Sequence, residues 1–432
     1  MNKKINIVTL GCSKNLVDSE KLLGQIRSGG YSIVHDSDDL SAAVVIINTC
    51  GFINDAREES IDTILRFVRA KEAGNIDHLY VMGCLAERYS DALRNEIPEV
   101  DRYFGVNDVN AILDEVGVQP DPKHRSDRVL TGPGHYAYLK VSEGCDRTCA
   151  FCSIPLIRGK CISRPVEDIL AEAKDLSGSG VRELILIAQD LSYYGLDLYK
   201  KQMLPGLLRE LIALNCFEWI RLHYLYPANF PEEILDIIND NPVICKYIDI
   251  PIQHISDSVL LKMKRSHDRA MTESLLYRIR ERIPGAVIRT TLIAGHPGET
   301  EEDFEKLKRF VASFCFDRLG VFAYSHEEGT YAGENYDDDV AEEVKKRRME
   351  ELMAIQQDIS LGKNSSMAGS VIRVLIDRRE GGFFEGRTQF DSPEVDQEVL
   401  VPDSFQLVPG NFYDIKIEKA EEFDLFGYPV NI

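Results

Sequence analysis

The amino-acid sequence predicts an α/β protein with three parts: a parallel α/β domain, a partial parallel barrel of six β/α units and a small antiparallel β-barrel. Strand and helix patterns alternate over residues 1–130 and resume after a connector. The last segment instead consists of short runs in which apolar and polar residues alternate. The chain has 432 residues, 44% of them hydrophobic, which suffices for more than one packed core.

The first domain is predicted over residues 1–130 from three β/α units, each with one cysteine just after its strand. The strand-like runs IVTL, AAVVIINT and HLYVM lead to Cys12, Cys50 and Cys84, and a helical pattern follows each of them. Such a series folds as a Rossmann-like sheet, in which the carboxyl ends of parallel strands share one edge that binds ligands. The three cysteines are therefore expected to converge on a shared metal centre, although cysteine is also a common buried residue.

The second domain is predicted over residues 131–365, after a connector rich in proline, glycine and charge at residues 118–134. Six strand patterns, from YAYLKVS to DRLGVFAYS, alternate with helices and match an open (β/α)6 version of the parallel barrel, whose site lies at the carboxyl ends of its strands. Polar residues that follow these strands are expected to face that site, although each could instead cap the next helix. They are Gln189, Asp190, His223, Gln253 and His254.

The third domain is predicted over residues 366–432, where short alternating runs with glycine and proline turns indicate a small antiparallel β-barrel. The whole chain carries a net charge of −21. Nucleic-acid binders use cations to neutralise phosphates, so this acidic surface favours a basic partner. Four acidic residues around Ser392-Pro393 are expected on an exposed turn and strand start, either docking such a partner or forming a solvated face. They are Asp391, Glu394, Asp396 and Glu398.

The sequence indicates a cytoplasmic protein. The N-terminal residues move directly into a strand-like run, so no export signal is recognised there. No apolar run approaches the roughly 18 residues that a membrane-spanning helix needs. Ten cysteines in a reducing compartment do not form a disulfide framework, so their clustering points to metal or redox chemistry.

A second group of cysteines, Cys145, Cys149 and Cys152, lies in the run KVSEGCDRTCAFCSIPLIRGK. Thiolates suit iron–sulfur clusters or zinc, but structural zinc sites and ordinary four-cysteine clusters have a fourth protein ligand. Cys161 lies among basic residues and is interpreted as a bystander rather than that ligand. A 4Fe-4S cluster held by three cysteines keeps one iron open, and this iron can chelate S-adenosylmethionine. The missing ligand is then the cofactor.

This Cys-x3-Cys-x2-Cys spacing, with Phe151 before the last cysteine, resembles the signature of the radical S-adenosylmethionine (SAM) enzymes. Over essentially its full length the chain resembles the methylthiotransferases, which join an N-terminal domain with three cluster cysteines, a radical SAM core and a C-terminal barrel named TRAM. The sequences LGCSKNLVDSE, INTCGFINDAREESID, EGCDRTCAFCSIPLIRGK and GVFAYSHEEGT resemble the branch that acts on small-subunit ribosomal protein S-twelve. One departure is Cys161, which lies in a stretch where that family usually carries another residue, and it leaves the ligand set unchanged.

The tRNA-modifying branch differs at two of these places. It tends to read Gly-Cys-Gln-Met-Asn at the first cysteine, and Arg-Pro-Gly-Thr where this chain has Glu327-Glu328-Gly329-Thr330. A tRNA adenosine methylthiotransferase is therefore the alternative function, opposed by these sequences and by the acidic surface. A non-catalytic iron–sulfur or zinc scaffold is a second alternative, which two separately organised cysteine sets do little to favour.

The resemblance implies the chemistry, because an unactivated C–H bond cannot be replaced by C–S with acid–base residues alone. It implies that S-adenosylmethionine is cleaved to a 5′-deoxyadenosyl radical, which takes hydrogen from the β-carbon of an aspartate in ribosomal protein S-twelve. An auxiliary cluster then delivers sulfur, and a second S-adenosylmethionine gives the methyl group. No side chain is assigned as a nucleophile.

The resemblance also implies the cluster ligands and the partners, and the strand-end position of Gln189 adds an expected cofactor contact. Phe151 and Gln189 are expected to contact S-adenosylmethionine, and the GHPGE turn is expected to supply backbone near it. The partners are ribosomal protein S-twelve, free or in the small subunit, an electron donor such as flavodoxin or ferredoxin, and a sulfur source. No membrane and no direct tRNA substrate are expected. The implied ligands are Cys12, Cys50 and Cys84 for the auxiliary 4Fe-4S cluster and Cys145, Cys149 and Cys152 for the radical SAM 4Fe-4S cluster.

Overall fold

A computed structural model describes residues 4–37, 42–51, 53–119 and 127–430 of the chain. They divide into two compact units. The first comprises Met1–Gly132, Glu143–Arg147 and Ser153–Cys161, and the second comprises Pro133–Ser142, Thr148–Cys152 and Ile162–Ile432. Within the described ranges, no helix combines the length and apolar character needed to cross a membrane.

The first unit is a parallel sheet flanked by helices. Its strands are β1 (Lys4–Thr9), β2 (Ser32–His35), β3 (Val44–Thr49), β4 (His78–Gly83) and β5 (Arg102–Tyr103), and its helices are α1 (Ser13–Ser28), α2 (Asn54–Glu72), α3 (Cys84–Glu96), α4 (Val109–Glu115) and α5 (Ile154–Arg158). The strand order is β2-β1-β3-β4-β5, and all pairs are parallel. The three predicted β/α units are confirmed, while the short edge strands β2 and β5 were not predicted.

Strand β3 shows why this sheet is buried on both faces. All six of its residues are buried, because alternate side chains enter two different cores. Ile47 packs in a cluster with Phe67 of α2, whereas Ile46 packs in another with Leu22 of α1. A strand that is buried on both faces needs apolar residues at successive positions, which explains the run VVIINT. Because β3 is the central strand, its end lies in the middle of the sheet edge.

The second unit begins with parallel strands and helices that alternate. Its strands up to residue 323 are β6 (Tyr136–Lys140), β7 (Ser142–Glu143), β8 (Ile162–Ser163), β9 (Glu183–Ile187), β10 (Trp219–Leu222), β11 (Tyr247–Asp249), β12 (Val287–Ala294) and β13 (Arg318–Ala323), of which β7 extends by one residue into the first unit. Its helices are α6 (Val166–Gly178), α7 (Leu196–Tyr199), α8 (Leu204–Ala213), α9 (Glu233–Asp240), α10 (Asp257–Lys262), α11 (Arg269–Arg282), α12 (Glu301–Phe314), α13 (Tyr331–Asn335) and α14 (Glu342–Ser365).

The six predicted barrel strands are all found, as two parallel sheets in the orders β10-β9-β6 and β11-β12-β13. A single parallel bridge joins Ile220 of β10 to Ile244, just before β11. The six strands therefore make the expected open barrel, and among the described residues no strand pairing joins β6 to β13 at the two ends of the series.

Residues near the C-terminus form a closed five-stranded barrel within the second unit, as predicted. Its strands are β14 (Val371–Glu380), β15 (Phe383–Arg387), β16 (Glu398–Pro402), β17 (Phe412–Ala420) and β18 (Asp424–Pro429). The order is β14-β15-β16-β18-β17, and every pair is antiparallel except β16 with β18, which is parallel. Val374, Val399 and Ile415 are fully buried in its core.

The expectation of an exposed acidic patch around Ser392-Pro393 is wrong for its two aspartates. Asp391 is fully buried and receives the Nε–H of Arg318 at 3.2 Å. The Asp396 side chain is 2% exposed, and it accepts a hydrogen bond of 2.7 Å from the Tyr247 hydroxyl. The local sequence resembles a surface turn because the partners, Arg318 and Tyr247, lie far away along the chain. Of the other two acids, Glu394 is exposed and Glu398 is partly exposed.

Candidate metal centres

The structure brings Cys12, Cys50 and Cys84 to one edge of the sheet in the first unit. They follow β1, β3 and β4, which are neighbours in the sheet. Cys12 is the residue that precedes α1, and Cys84 is the first residue of α3. The edge therefore carries three thiols, two of them at helix starts.

The turn before Cys12 lies against the second cysteine. Gly11 has φ = +92°, which strains any residue with a side chain, and a Cβ added there would come within 2.7 Å of the Cys50 Cβ and 3.0 Å of its sulfur. The Cys50 amide in turn donates a hydrogen bond of 3.1 Å to the Ser60 hydroxyl on α2. The Gly-Cys turn thus leaves room for the Cys50 thiol at the sheet edge.

The third cysteine, Cys84, is buried beside a cation. Its sulfur lies 3.4 Å from the Nη2 of Arg158 and 3.7 Å from the Oδ1 of Asn15. Burial raises the pKa of the Cys84 thiol to about 11, against the opposing effect of Arg158. This thiol is therefore protonated at neutral pH when no metal is bound. A metal ion that binds the sulfur displaces the proton.

Two asparagines fasten the turns that carry these cysteines. The Nδ2 of Asn15 donates to the carbonyl of Leu10 at 2.8 Å and to that of Thr49 at 3.1 Å, so it spans the ends of β1 and β3. The Nδ2 of Asn48 donates to the Asn15 carbonyl at 2.9 Å. The position of the Cys-bearing turns is thus fixed by side chains around the cysteines, an arrangement that metal sites commonly use.

Within the described ranges, no three side chains of His, Cys, Asp or Glu gather in a way that would hold a single metal ion. A 4Fe-4S cluster makes a different demand, because each thiolate binds a different iron and the sulfurs lie apart. Three thiols on neighbouring strand ends, with a cationic hydrogen-bond donor at one of them, fit that demand.

The loop with the second cysteine set is divided between the two units, since Cys145 belongs to the first and Cys149 and Cys152 belong to the second. In the first unit, the Cys145 amide donates to the Gly159 carbonyl at 3.0 Å, and the Arg147 amide donates to the Cys145 sulfur at 3.4 Å. All three cysteines are partly exposed.

In the second unit, a cation lies beside Cys149. The Nη1 of Arg265 donates to the Cys149 sulfur at 3.4 Å, and its guanidinium lies 4.2 Å from the ring centre of Tyr226. The same Tyr226 hydroxyl is 3.9 Å from the Cys149 sulfur. A guanidinium and a phenol hydroxyl therefore both lie against the Cys149 sulfur.

Phe151 packs at the start of the GHPGE turn. Its ring meets the His296 ring edge to face at 6.4 Å, and His296 also meets Tyr324 at 5.2 Å. The His296 Nε2 and the Tyr324 hydroxyl are buried, and neither has a hydrogen-bond partner among the residues that the structure describes. Buried polar atoms of this kind are typical of places where a ligand supplies the partner.

The polar residues at the strand ends have diverse roles. Asp190 caps the 3-10 turn Leu191–Tyr193 by accepting from the Ser192 amide at 2.9 Å, and His223 is hydrogen bonded to the Ser392 hydroxyl of the small barrel. His254 is fully buried against Glu299. Gln189 follows β9 and is partly exposed, and Gln253 has φ = +69° at its strand end.

Sequence reasoning missed Arg158, Asn15 and Arg265 as residues of the two cysteine sites. Arg158 and Asn15 lie in the runs EGCDRTCAFCSIPLIRGK and LGCSKNLVDSE, which were singled out for their cysteines alone. Their proximity to the cysteines in sequence was the available signal. Arg265 lies in no such run, and only the fold brings it to Cys149.

Comparisons with known proteins agree with this architecture. Residues 4–105 match the profile of the uncharacterized protein family UPF0004, residues 139–311 that of the radical SAM superfamily, and residues 368–430 that of the TRAM domain. Among solved structures, the radical S-adenosylmethionine methyltransferase TsrM from Kitasatospora setae, with cobalamin and a [4Fe-4S] cluster bound, is similar at a TM-score of 0.54 and 15% identity, over 77% of this chain and 74% of that one. This likeness concerns the fold alone.

Curated relatives match over almost the whole length. Proteins named ribosomal protein uS12 methylthiotransferase RimO are 53% identical in Phocaeicola vulgatus, over 98% of both chains, and 52% identical in Cytophaga hutchinsonii, over 98% of this chain and 97% of that one. The relative of the same name in Porphyromonas gingivalis is 51% identical over 98% of each chain. The chain therefore belongs to the RimO family of radical SAM methylthiotransferases.

Proposed function

We propose that this enzyme methylthiolates the β-carbon of an aspartate in ribosomal protein uS12, the small-subunit protein S-twelve. The observation that carries the proposal is the presence of two cysteine sets, one at the ends of β1, β3 and β4 and one with the Cys-x3-Cys-x2-Cys spacing. The chain that holds them matches proteins named ribosomal protein uS12 methylthiotransferase over 98% of its length. A single cluster would serve radical formation alone, whereas a second gives a place for the sulfur that must be inserted.

We propose the following ligands and cofactors. Phe151 and Gln189 contact S-adenosylmethionine, and the orphaned polar atoms of His296 and Tyr324 near Phe151 support a ligand on that side. When bound, the clusters and S-adenosylmethionine together supply the radical, the sulfur and the methyl group. The auxiliary cluster is held by Cys12, Cys50 and Cys84, and the radical SAM cluster by Cys145, Cys149 and Cys152.

The protein's own residues hold and orient these groups. Arg265 donates to the Cys149 sulfur and is itself held by the Pro251 carbonyl at 2.6 Å, so it keeps a positive charge at one ligand of the radical SAM cluster. Asn15 and Asn48 fix the turns of Cys12 and Cys50. No side chain of the protein is assigned as a nucleophile for the transfer itself.

The partners of this reaction are proposals as well. The substrate is uS12, free or in the small subunit, so the enzyme acts in the cytoplasm. Cluster reduction needs a low-potential electron donor such as flavodoxin or ferredoxin, and each turnover consumes a sulfur atom that a sulfur source must replace. A tRNA adenosine methylthiotransferase is the alternative; the net charge of −21 and the names of the curated relatives oppose it.

Mass spectrometry of uS12 from a strain that lacks this protein tests the substrate. We expect its aspartate-containing peptide to lose the mass increment of a methylthio group, and a plasmid copy of the gene to restore it. Purified enzyme given uS12 or tRNA, with S-adenosylmethionine and reductant, should modify only the protein. A methylthio increment that persists in the deletion strain, or methylthiolation of tRNA by the purified enzyme, would contradict the proposal. If the purified protein forms no 5′-deoxyadenosine, the alternative of a non-catalytic iron–sulfur or zinc scaffold is favoured.

A further inference from the structure

A buried arginine touches a sulfur of the auxiliary cysteine set. Arg158 is the last residue of α5, and its side chain is only 3% exposed. Its Nη2 lies 3.4 Å from the Cys84 sulfur and also donates to the Asn15 Oδ1. Arginine stays charged in proteins, so a full positive charge is held at this sulfur.

The opposite edge of the same guanidinium is anchored by carboxylates. Its Nη1 lies 2.8 Å from an oxygen of Asp18 and 3.1 Å from one of Glu143. One nitrogen therefore faces the acids and the other faces Cys84 and Asn15. This division keeps the guanidinium plane in one orientation, because turning it would break contacts on both edges.

The residue after Arg158 is tied to the other cysteine set. The Gly159 carbonyl accepts from the Cys145 amide at 3.0 Å. A Cβ on Gly144, next to Cys145, would come within 2.1 Å of the Lys160 carbonyl oxygen, so the two backbone segments are in close contact. A short, rigid segment thus connects the backbone of Cys145 to the sulfur of Cys84 through Arg158.

We propose that Arg158 is a positioning residue of the auxiliary cluster, which holds the Cys84 sulfur by a charged hydrogen bond and raises the reduction potential of that cluster. The inference rests on the proposed function, since it takes Cys12, Cys50 and Cys84 as the ligands. Hydrogen bonds to cluster sulfurs and nearby charge set the potential of iron–sulfur centres. A fixed cation stabilises the reduced cluster, which carries one more negative charge, over the oxidised one.

The test uses the full-length chain with Cys145→Ala, Cys149→Ala and Cys152→Ala, which leaves only the auxiliary site. Into this parent are introduced Arg158→Gln, Arg158→Lys and, as a matched control, Arg102→Gln on β5, an exposed arginine of the same unit. Iron content, circular dichroism and the midpoint potential from an EPR-monitored redox titration are measured. We expect the potential to fall in Arg158→Gln, to fall less in Arg158→Lys and to stay at the parent value in the control.

Each outcome distinguishes the inference from the proposed function. A parent that binds no iron contradicts the proposed ligand set itself. A parent and an Arg158→Gln variant with equal iron and equal potential overturn the role of Arg158. If Arg158→Gln loses its iron, the midpoint potential of Arg158→Lys is compared with that of the parent. An Arg158→Lys variant with the parent's potential overturns the role of Arg158. Loss of iron from both variants with unchanged circular dichroism supports the positioning role, whereas loss of the folded spectrum overturns it.

Discussion

At the scale of single residues, the GHPGE turn is built on a buried acid and a buried base. The His254 Nδ1 accepts from the Ser256 amide at 2.9 Å, so its proton lies on Nε2, 3.7 Å from a Glu299 oxygen. Burial lowers the pKa of His254 to about 3 and raises the pKa of Glu299 to about 7, in the latter case against Arg348. Both groups therefore favour their neutral forms in the folded chain.

These two shifts affect acid stability with opposite signs. Between pH 6.5, the ordinary pKa of histidine, and about 3, unfolded His254 binds a proton that the folded residue does not, so stability falls as the pH falls. Between pH 4.5 and about 7, folded Glu299 binds a proton that the unfolded residue does not, so stability falls as the pH rises. The contributions oppose each other where the intervals overlap.

Changing His254→Gln should separate the two contributions. The variant keeps the Glu299 effect alone, so on acidification from pH 7.5 to 5.5 it should lose less stability than the wild type, by up to ~1.4 kcal/mol per pH unit below 6.5. Urea denaturation at the two pH values measures this. At pH 7.5 His254 is neutral in both states, so this value gives the reference for each protein. Equal slopes in both proteins would contradict the assignment.

The sequence predicted the cysteines but not the cations beside them. The spacing of cysteines and their position just after predicted strands are local patterns. Cys12, Cys50 and Cys84 could therefore be placed at one sheet edge without a structure. Arg158 reaches Cys84 across 74 residues and Asn15 across 143, so its position near Cys152 in the sequence does not indicate which cysteine it contacts. A charged residue in a loop is predicted as exposed unless its partners are known.

At the scale of elements, the turn from β4 to α3 depends on a glycine. Gly83 has φ = +99°, and an added Cβ would lie 2.4 Å from the Asn48 Oδ1 and 2.6 Å from the Thr49 carbonyl oxygen. The turn thus packs directly on the end of β3, next to Cys50. Its close approach is what aligns the start of α3, and hence Cys84, with the neighbouring strand ends.

Replacing Gly83→Ala should destabilise the protein by ~2–3 kcal/mol, because backbone strain and a clash with backbone add together. Gly74→Ala is the matched control, since Gly74 also has a positive φ, +73°, but open space around its missing Cβ. The control should cost only ~1 kcal/mol. Urea denaturation of both variants measures the difference. Equal losses would mean that the close approach to β3 is unimportant.

The predicted elements were those with long, regular patterns. The runs IVTL, AAVVIINT and HLYVM gave β1, β3 and β4, whereas β5 has two residues and β2 has only partly buried or exposed ones. Short edge strands have too few residues to show a period, and their pairing depends on the strand beside them. The sheet order therefore extends further than the sequence pattern indicated.

At the scale of the whole second unit, the small barrel is joined to the strand series by buried charges. Arg387 of β15 pairs with Glu183 of β9 at 2.8 Å, and Arg221 of β10 pairs with the same Glu183 at 2.7 Å. His135 lies 2.8 Å from Asp377 of β14. Asp391 and Asp396 of the barrel likewise pair with Arg318 of β13 and Arg289 of β12, so these two acids face cations of their own chain and do not add to an acidic surface.

A substitution at Asp391 distinguishes a buried structural role from the predicted role in an exposed docking patch. Its carboxylate accepts from Arg318 and from the Thr388 hydroxyl, and it is fully buried. Removing one partner of a buried ion pair leaves the other charge uncompensated, so Asp391→Asn should cost ~3–5 kcal/mol of unfolding free energy. The matched control is Asp403→Asn. Asp403 pairs with Arg379 on the barrel surface, where such a pair contributes ~0–1 kcal/mol.

Urea denaturation of the two variants distinguishes the two roles of Asp391. If Asp391 were a surface docking residue, both substitutions would lower the unfolding free energy by similar small amounts. If it joins the barrel to the strand series, only Asp391→Asn causes a large loss.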